Sequence, residues 1–278
     1  KGEEWQSVQV FGQEVNGLTS SIARMNLYLN GVEDFSIACA DTLENPAFLD
    51  GSHLRKFDIV LANPPYSIKE WNREKFMNDK WGRNFLGTPS QGRADYAFIQ
   101  HILASMNDEN GRCAILLPHG ILFRNEEKEV RTNLVKSDLL EAVIGLGPNL
   151  FYNAPMEACI LFCNKNKDRE RKNRITFINA VKEVTRKNAE SYLEQHHIEK
   201  ILHAFHSQED IEQFKLSIST DDIANKDFDL SIQKYVFIKD AEVEEISFSS
   251  AISRWLNSQK EVHVQYITLM DLLSNDKI

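Results

Sequence analysis

Between residue 8 and about residue 165, short apolar runs take turns with stretches of helical period, and few architectures accommodate that alternation. The runs cover residues 8–14, 35–40, 57–62, 113–117, 140–145 and 158–163. They are rich in Val, Ile and Phe and do not alternate strictly with polar residues, as expected of strands covered on both faces. Over residues 18–29, Ile22, Met25 and Leu29 share one face of a predicted helix; over 96–106, Phe98, Ile99, Ile102 and Leu103 do the same. Strand–helix alternation of this kind predicts a mainly parallel, doubly wound α/β sheet.

Residues 71–93 break the rhythm with Trp71, Trp81, Arg83, Phe85, Gly87, Pro89, Gly92 and Arg93. A loop this long inside a compact domain is usually functional or mobile. The polar run 164–173 closes the region, so we place one domain over residues 1–165 and an extension, expected to be mostly helical, over 166–278. In the extension, residues 174–179 read as a further strand and 192–205 as an amphipathic helix with Ile198, Ile201, Leu202 and Phe205 inward. His196, His197, His203 and His206 are expected on its solvated side, and residues 252–256 form a short amphipathic piece.

Composition limits the function classes. No apolar run approaches the roughly 20 residues needed to span a bilayer, and Lys1-Gly2-Glu3-Glu4-Trp5 has no apolar signal segment. A cytoplasmic protein without membrane contact is expected. Cys39, Cys113, Cys159 and Cys163 all lie in apolar runs and are expected as small buried thiols. Cys159 and Cys163 stand ~13 Å apart along a strand, too far to share a metal. The net charge of −9 argues against sequence-blind DNA binding by the whole surface, so any nucleic-acid contact is local or supplied by a partner.

Asn63-Pro64-Pro65-Tyr66 follows the buried run 57–62 directly. That places it at the carboxyl end of a predicted parallel strand, where open α/β sheets bind their ligands. A conjugated exocyclic amine is a poor nucleophile, and two acceptors on its hydrogens favour a pyramidal nitrogen and steady the positive charge that develops on alkylation. The Asn63 side-chain oxygen is one acceptor. The Pro64 carbonyl is the other, because Pro64 and Pro65 fix the backbone and offer no competing N–H. Tyr66 supplies a flat face for a planar substrate, and a base inside a duplex must be flipped out to reach it. Glu14 ends the first run, where a carboxylate can take both hydroxyls of a ribose. Asp41, in Ala40-Asp41-Thr42-Leu43, ends the second and can accept the adenine amino group of S-adenosylmethionine. Taken singly, such an acid is more often a helix cap or a loop charge; together, at consecutive strand ends leading to Asn63, the two are expected as ligands.

Taken in order, Gly12-Gln13-Glu14, Ala40-Asp41-Thr42-Leu43 and Asn63-Pro64-Pro65-Tyr66 resemble the second, third and fourth motifs of N6-adenine DNA methyltransferases. Asp95-Tyr96-Ala97-Phe98-Ile99-Gln100-His101, Gly111-Arg112-Cys113-Ala114-Ile115-Leu116-Leu117-Pro118-His119-Gly120 and Asn149-Leu150-Phe151-Tyr152 resemble modification subunits of type I restriction–modification systems, as do Phe177-Ile178-Asn179-Ala180 and residues 227–236. The resemblance covers about residues 8–238. It implies a Rossmann-like fold using S-adenosyl-L-methionine, with Glu14, Asp41, Thr42 and Leu43 on the cofactor. Phe98 packs near the cofactor adenine or in the core, and His119 is structural. It also implies double-stranded DNA, a specificity subunit, a restriction nuclease subunit and a second modification subunit as partners, with residues 166–278 contacting them.

Two departures qualify the likeness. Asn153-Ala154-Pro155-Met156-Glu157 replaces a Gly/Thr-containing turn on the side of the target base. No Gly-x-Gly precedes Glu14, so the family's first strand and glycine-rich loop are expected ahead of Lys1, and the sheet is expected to be incomplete on that side. Two other readings share the same residues: a glutamine-N5 protein methyltransferase, whose amide nitrogen is also planar and conjugated, and a non-catalytic scaffold for a DNA-specificity subunit.

Overall fold

A computed structural model of the chain describes residues 8–151, 156–187 and 190–237, with residues 252, 255, 256 and 258–260. The elements run in the order β1 (Val10–Glu14), α1 (Gly17–Leu29), β2 (Phe35–Cys39), β3 (Leu49–Asp50), β4 (His53–Leu54), β5 (Ile59–Ala62), α2 (Arg73–Met77), α3 (Asp95–Ser105) and β6 (Arg112–Pro118). They continue with α4 (Lys128–Lys136), β7 (Leu140–Leu146), β8 (Ala158–Asn164), β9 (Arg174–Ala180), β10 (Thr185–Lys187), β11 (Glu190–Tyr192), α5 (Gln195–His206), β12 (Lys215–Ser219) and α6 (Thr220–Asn225).

Six strands form one sheet in the order β12-β9-β7-β8-β6-β5. β5 runs parallel to β6 and β7 parallel to β9, whereas β8 is antiparallel to both of its neighbours and β12 is antiparallel to β9. The sheet is therefore mixed rather than mainly parallel. One face buries Cys113, Ile115 and Leu117 of β6 against Ile99 and Leu103 of α3 and Leu134 of α4. The other buries Ile144, Leu146 and Ile178 against Ala204, with Ile201 and Phe205 of α5 packed alongside. Each aliphatic side chain buried in full contributes roughly 1.5–3 kcal/mol, so these two layers carry most of the fold.

The chain divides into two compact units, Lys1–Phe237 and Ile238–Ile278. The boundary expected at 165/166 is thus displaced to 237/238. The polar run read as closing the sheet region is a surface turn held by Asn164 and Arg171 on Glu141 (2.7 Å each) and by Lys167 on Asp138 at 2.6 Å. It returns the chain into β9, whose Ile175 and Phe177 join the main core with Ile232 and Tyr235. Among the described residues, the stretch 166–237 accordingly adds four strands and two α-helices, not a mostly helical extension. In the second unit, Ile252, Trp255 and Leu256 are helical and exposed.

Helix α5 faces the sheet differently from expectation. Its capping box joins Glu194 and His197, with the Glu194 N–H donating to His197 Nδ1 at 3.1 Å. His197 and Ala204 are buried, and Ile198 and Leu202 are exposed. Starting the helix at Gln195 puts positions 197, 201, 204 and 205 on one stripe. Cys39 is exposed, while the other three thiols are buried as expected.

β1 and β2 pair in parallel apart from the large sheet, with Glu14 opposite Cys39. β5 is the edge strand of the large sheet, and its Ile59 and Leu61 are 59% and 77% exposed. The apolar stripe of α1 (Leu18, Ile22, Met25 and Leu29) is also exposed. Among the described residues no helix is long and apolar enough to cross a membrane.

Candidate active site

β5 delivers Asn63 at its carboxyl end, one residue beyond the parallel pairing of Ala62 with Ile115. Asn63 is exposed, Pro64 is buried and Tyr66 is half-buried. The two prolines fix their own φ and restrict the residue before each of them, so the Asn63 side chain leaves a stiff backbone. Burial pushes the Tyr66 phenol above its ordinary value, with Cys159 and Asp95 adding to the effect. Tyr66 is therefore a neutral aromatic face at any physiological pH. An open hollow of about 310 Å³ adjoins Asn63, walled by Leu61, Ala62, Ala114, Leu116 and Ile160.

Glu14 and Asp41 stand at the carboxyl ends of the paired strands β1 and β2. Glu14 Oε1 accepts the Asn16 N–H at 2.8 Å. Asp41 Oδ1 accepts the N–H groups of Leu43 and Glu44 at 2.8 and 3.0 Å. Each acid thus caps local backbone with one oxygen. Gln13 holds the two strand ends together. Its amide nitrogen donates to the carbonyls of Ala40 (3.2 Å) and Asn45 (2.9 Å), and its oxygen accepts the Ala47 N–H at 3.0 Å.

The loop after β2 and the loop after β5 meet in a small apolar cluster. Leu43, Phe76, Ala94 and Ala97 are buried there, with Ile68, Trp71 and Phe98 packed against them. Leu43 therefore spends its side chain on the core, and half-buried Phe98 lies in the same cluster. Arg83 clamps the junction. Its Nη1 donates to the Thr42 carbonyl at 3.0 Å and its Nη2 to the Leu43 carbonyl at 2.8 Å, while Nε and Nη2 hold Asp79 Oδ1 at 3.0 and 2.7 Å. Nη1 also points at His101 Nδ1, 3.4 Å away, and burial drives that imidazole down to about 3, so it stays a neutral acceptor. The 71–93 segment is consequently packed, with Phe76, Arg83 and Leu86 buried.

Thus Thr42, Leu43 and Phe98 are gathered by one cluster and one clamp, Ile68 brings the chain just after Tyr66 into that cluster, and Gln13 beside Glu14 is bonded to residues on both sides of Asp41. Arg83 and Gln13 were not evident from the sequence. Arg83 showed only as one base in an aromatic loop, and nothing near Gln13 signals its bonds to residues 40–47. His119 packs against Phe123, and its backbone N–H donates to the Glu157 carbonyl at 3.3 Å. Residues 153–155 of the divergent turn lie outside the described residues.

The donor set fits the adenosine half of S-adenosylmethionine. It offers a half-buried carboxylate for a diol, an exposed carboxylate for an amino group, and a half-buried aromatic ring for a purine face.

A family model described as N-6 DNA methylase matches residues 1–244. The type I restriction enzyme MjaVII methylase subunit of Methanocaldococcus jannaschii is 32% identical over 269 residues, covering 91% of this chain and 45% of that protein. The HindI methylase subunit of Haemophilus influenzae is also 32% identical, over 92% of this chain and 58% of that protein. The crystal structure of a type I restriction–modification methyltransferase subunit from Streptococcus thermophilus superposes with a TM-score of 0.77 at 37% identity, covering 83% of this chain and 49% of that one. The chain spans about half the length of the curated relatives it matches. The motif resemblance to type I modification subunits is therefore met by relatives of that name, and with the family model running across the whole first unit, the chain belongs to the N-6 DNA methylase family.

Proposed function

We propose that these residues carry the chemistry by which a type I modification subunit methylates N6 of adenine in DNA. The observation that carries the reading is the Asn63-Pro64-Pro65-Tyr66 turn at the end of β5, followed by Ile68, which packs on the Leu43–Phe98 cluster, while Arg83 holds the Thr42 and Leu43 carbonyls just beyond Asp41. S-adenosylmethionine supplies the electrophilic methyl group. Glu14 holds its ribose hydroxyls, Asp41 its adenine amino group, and Phe98 covers the adenine face. The target adenine, extruded from the duplex, stacks on Tyr66. The Asn63 side-chain oxygen and the Pro64 carbonyl then accept its two amino hydrogens, which directs the nitrogen lone pair outward and offsets the positive charge as it forms. The net charge of −9 fits a division of labour in which a specificity subunit contributes much of the DNA contact. By the same resemblance a second modification subunit and a nuclease subunit complete the assembly, which works in the cytoplasm.

The test is Asn63→Ala in the full-length subunit assembled with its specificity subunit. Single-turnover transfer to a cognate duplex is expected to fall by ~10²–10³-fold, with the cofactor Kd unchanged by calorimetry. A variant as fast as the parent would refute the assignment.

A further inference from the structure

Ser67, immediately after Tyr66, sits at φ 52°, in the left-handed region that crowds a Cβ and that L-residues keep only when their surroundings hold them there. What holds it is Asp95. The Ser67 N–H donates to Asp95 Oδ1 at 2.9 Å and the Ser67 hydroxyl to Oδ2 at 3.3 Å. Asp95 is fully buried in the first turn of α3, where an acid ordinarily serves its own helix. Here the helix has no side-chain cap, and both carboxylate oxygens reach back 28 residues to Ser67. Two cations secure the arrangement: Arg93 Nη1 donates to the Ser67 hydroxyl at 3.0 Å, and Arg124 Nη1 approaches Asp95 Oδ2 at 3.5 Å. Arg124 takes that position by folding back across Gly120. A Cβ on Gly120 would stand 2.5 Å from its guanidinium.

We propose that Asp95 is a positioning residue for methyl transfer, fixing Ser67 and through it the 63–66 turn, with Arg124 folded over Gly120 as its support. This rests on the role given above to Asn63 and Tyr66. Pro64 and Pro65 have little torsional freedom, so a shift at Ser67 passes to Asn63 instead of being absorbed. Misplacing a reacting group by about 1 Å can cost on the order of 10²-fold in rate.

Three variants of the full-length assembled subunit test it: Asp95→Ala, Asp95→Asn and Gly120→Ala. Asn keeps an acceptor for the Ser67 N–H but has no charge for Arg124, and Gly120→Ala keeps Asp95 while displacing Arg124. Asp95→Ala is expected to lose about 10²-fold in single-turnover rate with an unchanged cofactor Kd and faster hydrogen exchange at the Ser67 amide. Asp95→Asn should recover much of the rate, and Gly120→Ala should fall between. A wild-type rate in Asp95→Ala overturns the proposal. So does a joint fall of rate, cofactor affinity and melting temperature with Asn no better than Ala. A wild-type assembly that transfers no methyl group would instead sink the functional reading. Exchange at Ser67 then tests only whether Asp95 holds the 63–66 turn, acceleration in Asp95→Ala supporting that hold and no change refuting it.

Discussion

Glu127 is fully buried, and neither of its carboxylate oxygens has a hydrogen-bond partner. Its nearest charge is Arg124 Nη1 at 3.7 Å, the same atom that approaches Asp95. Burial pushes the Glu127 carboxyl up to about 7, and the Asp95 charge adds to this, while Arg124, Arg93 and Arg131 pull the other way. A carboxyl raised on folding binds its proton more tightly in the native state. Its stabilising effect is complete below the ordinary glutamate range and is lost as pH rises through about 7. Glu127→Gln, which resembles the protonated form, should therefore melt close to the parent at pH 4.5 and above it at pH 8. Each kcal/mol of difference appears as roughly 2–4 °C in a domain of this size. A gap that stays constant across that range by calorimetry would show that Glu127 does not titrate there. At this scale the placing of Asn63, Glu14 and Asp41 at strand ends could be read from the sequence, because each ends or follows an apolar run. The bonds of Asp95 and Arg83 could not, because they reach partners that only the fold brings near; Arg83 and Thr42 are 41 positions apart.

At the scale of elements, the 71–93 segment shows why a loop rich in Trp and Arg need not be a free DNA-contacting flap. Its Arg83–Asp79 pair is 1% exposed at both side chains and sits over the rings of Trp81 and Phe76. Removing one member of a buried pair strands the other and typically costs about 3–5 kcal/mol, whereas replacing both with apolar groups is often neutral. Arg83→Met is thus expected to destabilise the protein by that order in denaturant unfolding. Arg83→Met with Asp79→Leu should regain most of the stability yet keep a weakened cofactor Kd, since nothing then grips the Thr42 and Leu43 carbonyls. Full recovery of cofactor affinity in the double variant would reduce the clamp to packing alone. The strands were legible because apolar runs mark them wherever they lie in a sheet. The direction of β8 was not, since a run buried on both faces reads the same either way. α4 escaped notice because only Val130, Arg131, Leu134 and Val135 of its nine residues turn inward. β12 is a short Lys-Leu-Ser-Ile-Ser segment whose Lys215 is buried by donating to the carbonyls of Ser207 and Glu209.

At the scale of the molecule, the pair β1–β2 is outside the six-stranded sheet, and among the described residues β5 ends that sheet with an unpaired, apolar edge. The alternation of strands and helices was enough to reveal the α/β class. It was not enough to set the unit boundary, because a polar surface turn and a linker have the same composition. The distribution of sulfur has a practical consequence. Cys113, Cys159 and Cys163 are buried, and burial raises the Cys159 thiol while Cys113 and then burial raise that of Cys163. Cys39 is exposed and lies opposite Glu14 in the strand register. A maleimide should consequently modify the native chain once, beside Glu14, and S-adenosylhomocysteine should slow the reaction if Glu14 holds the ribose as proposed. With the label confirmed at Cys39 by peptide mass spectrometry, a fluorophore there becomes an optical gauge of cofactor occupancy that needs no DNA and no turnover.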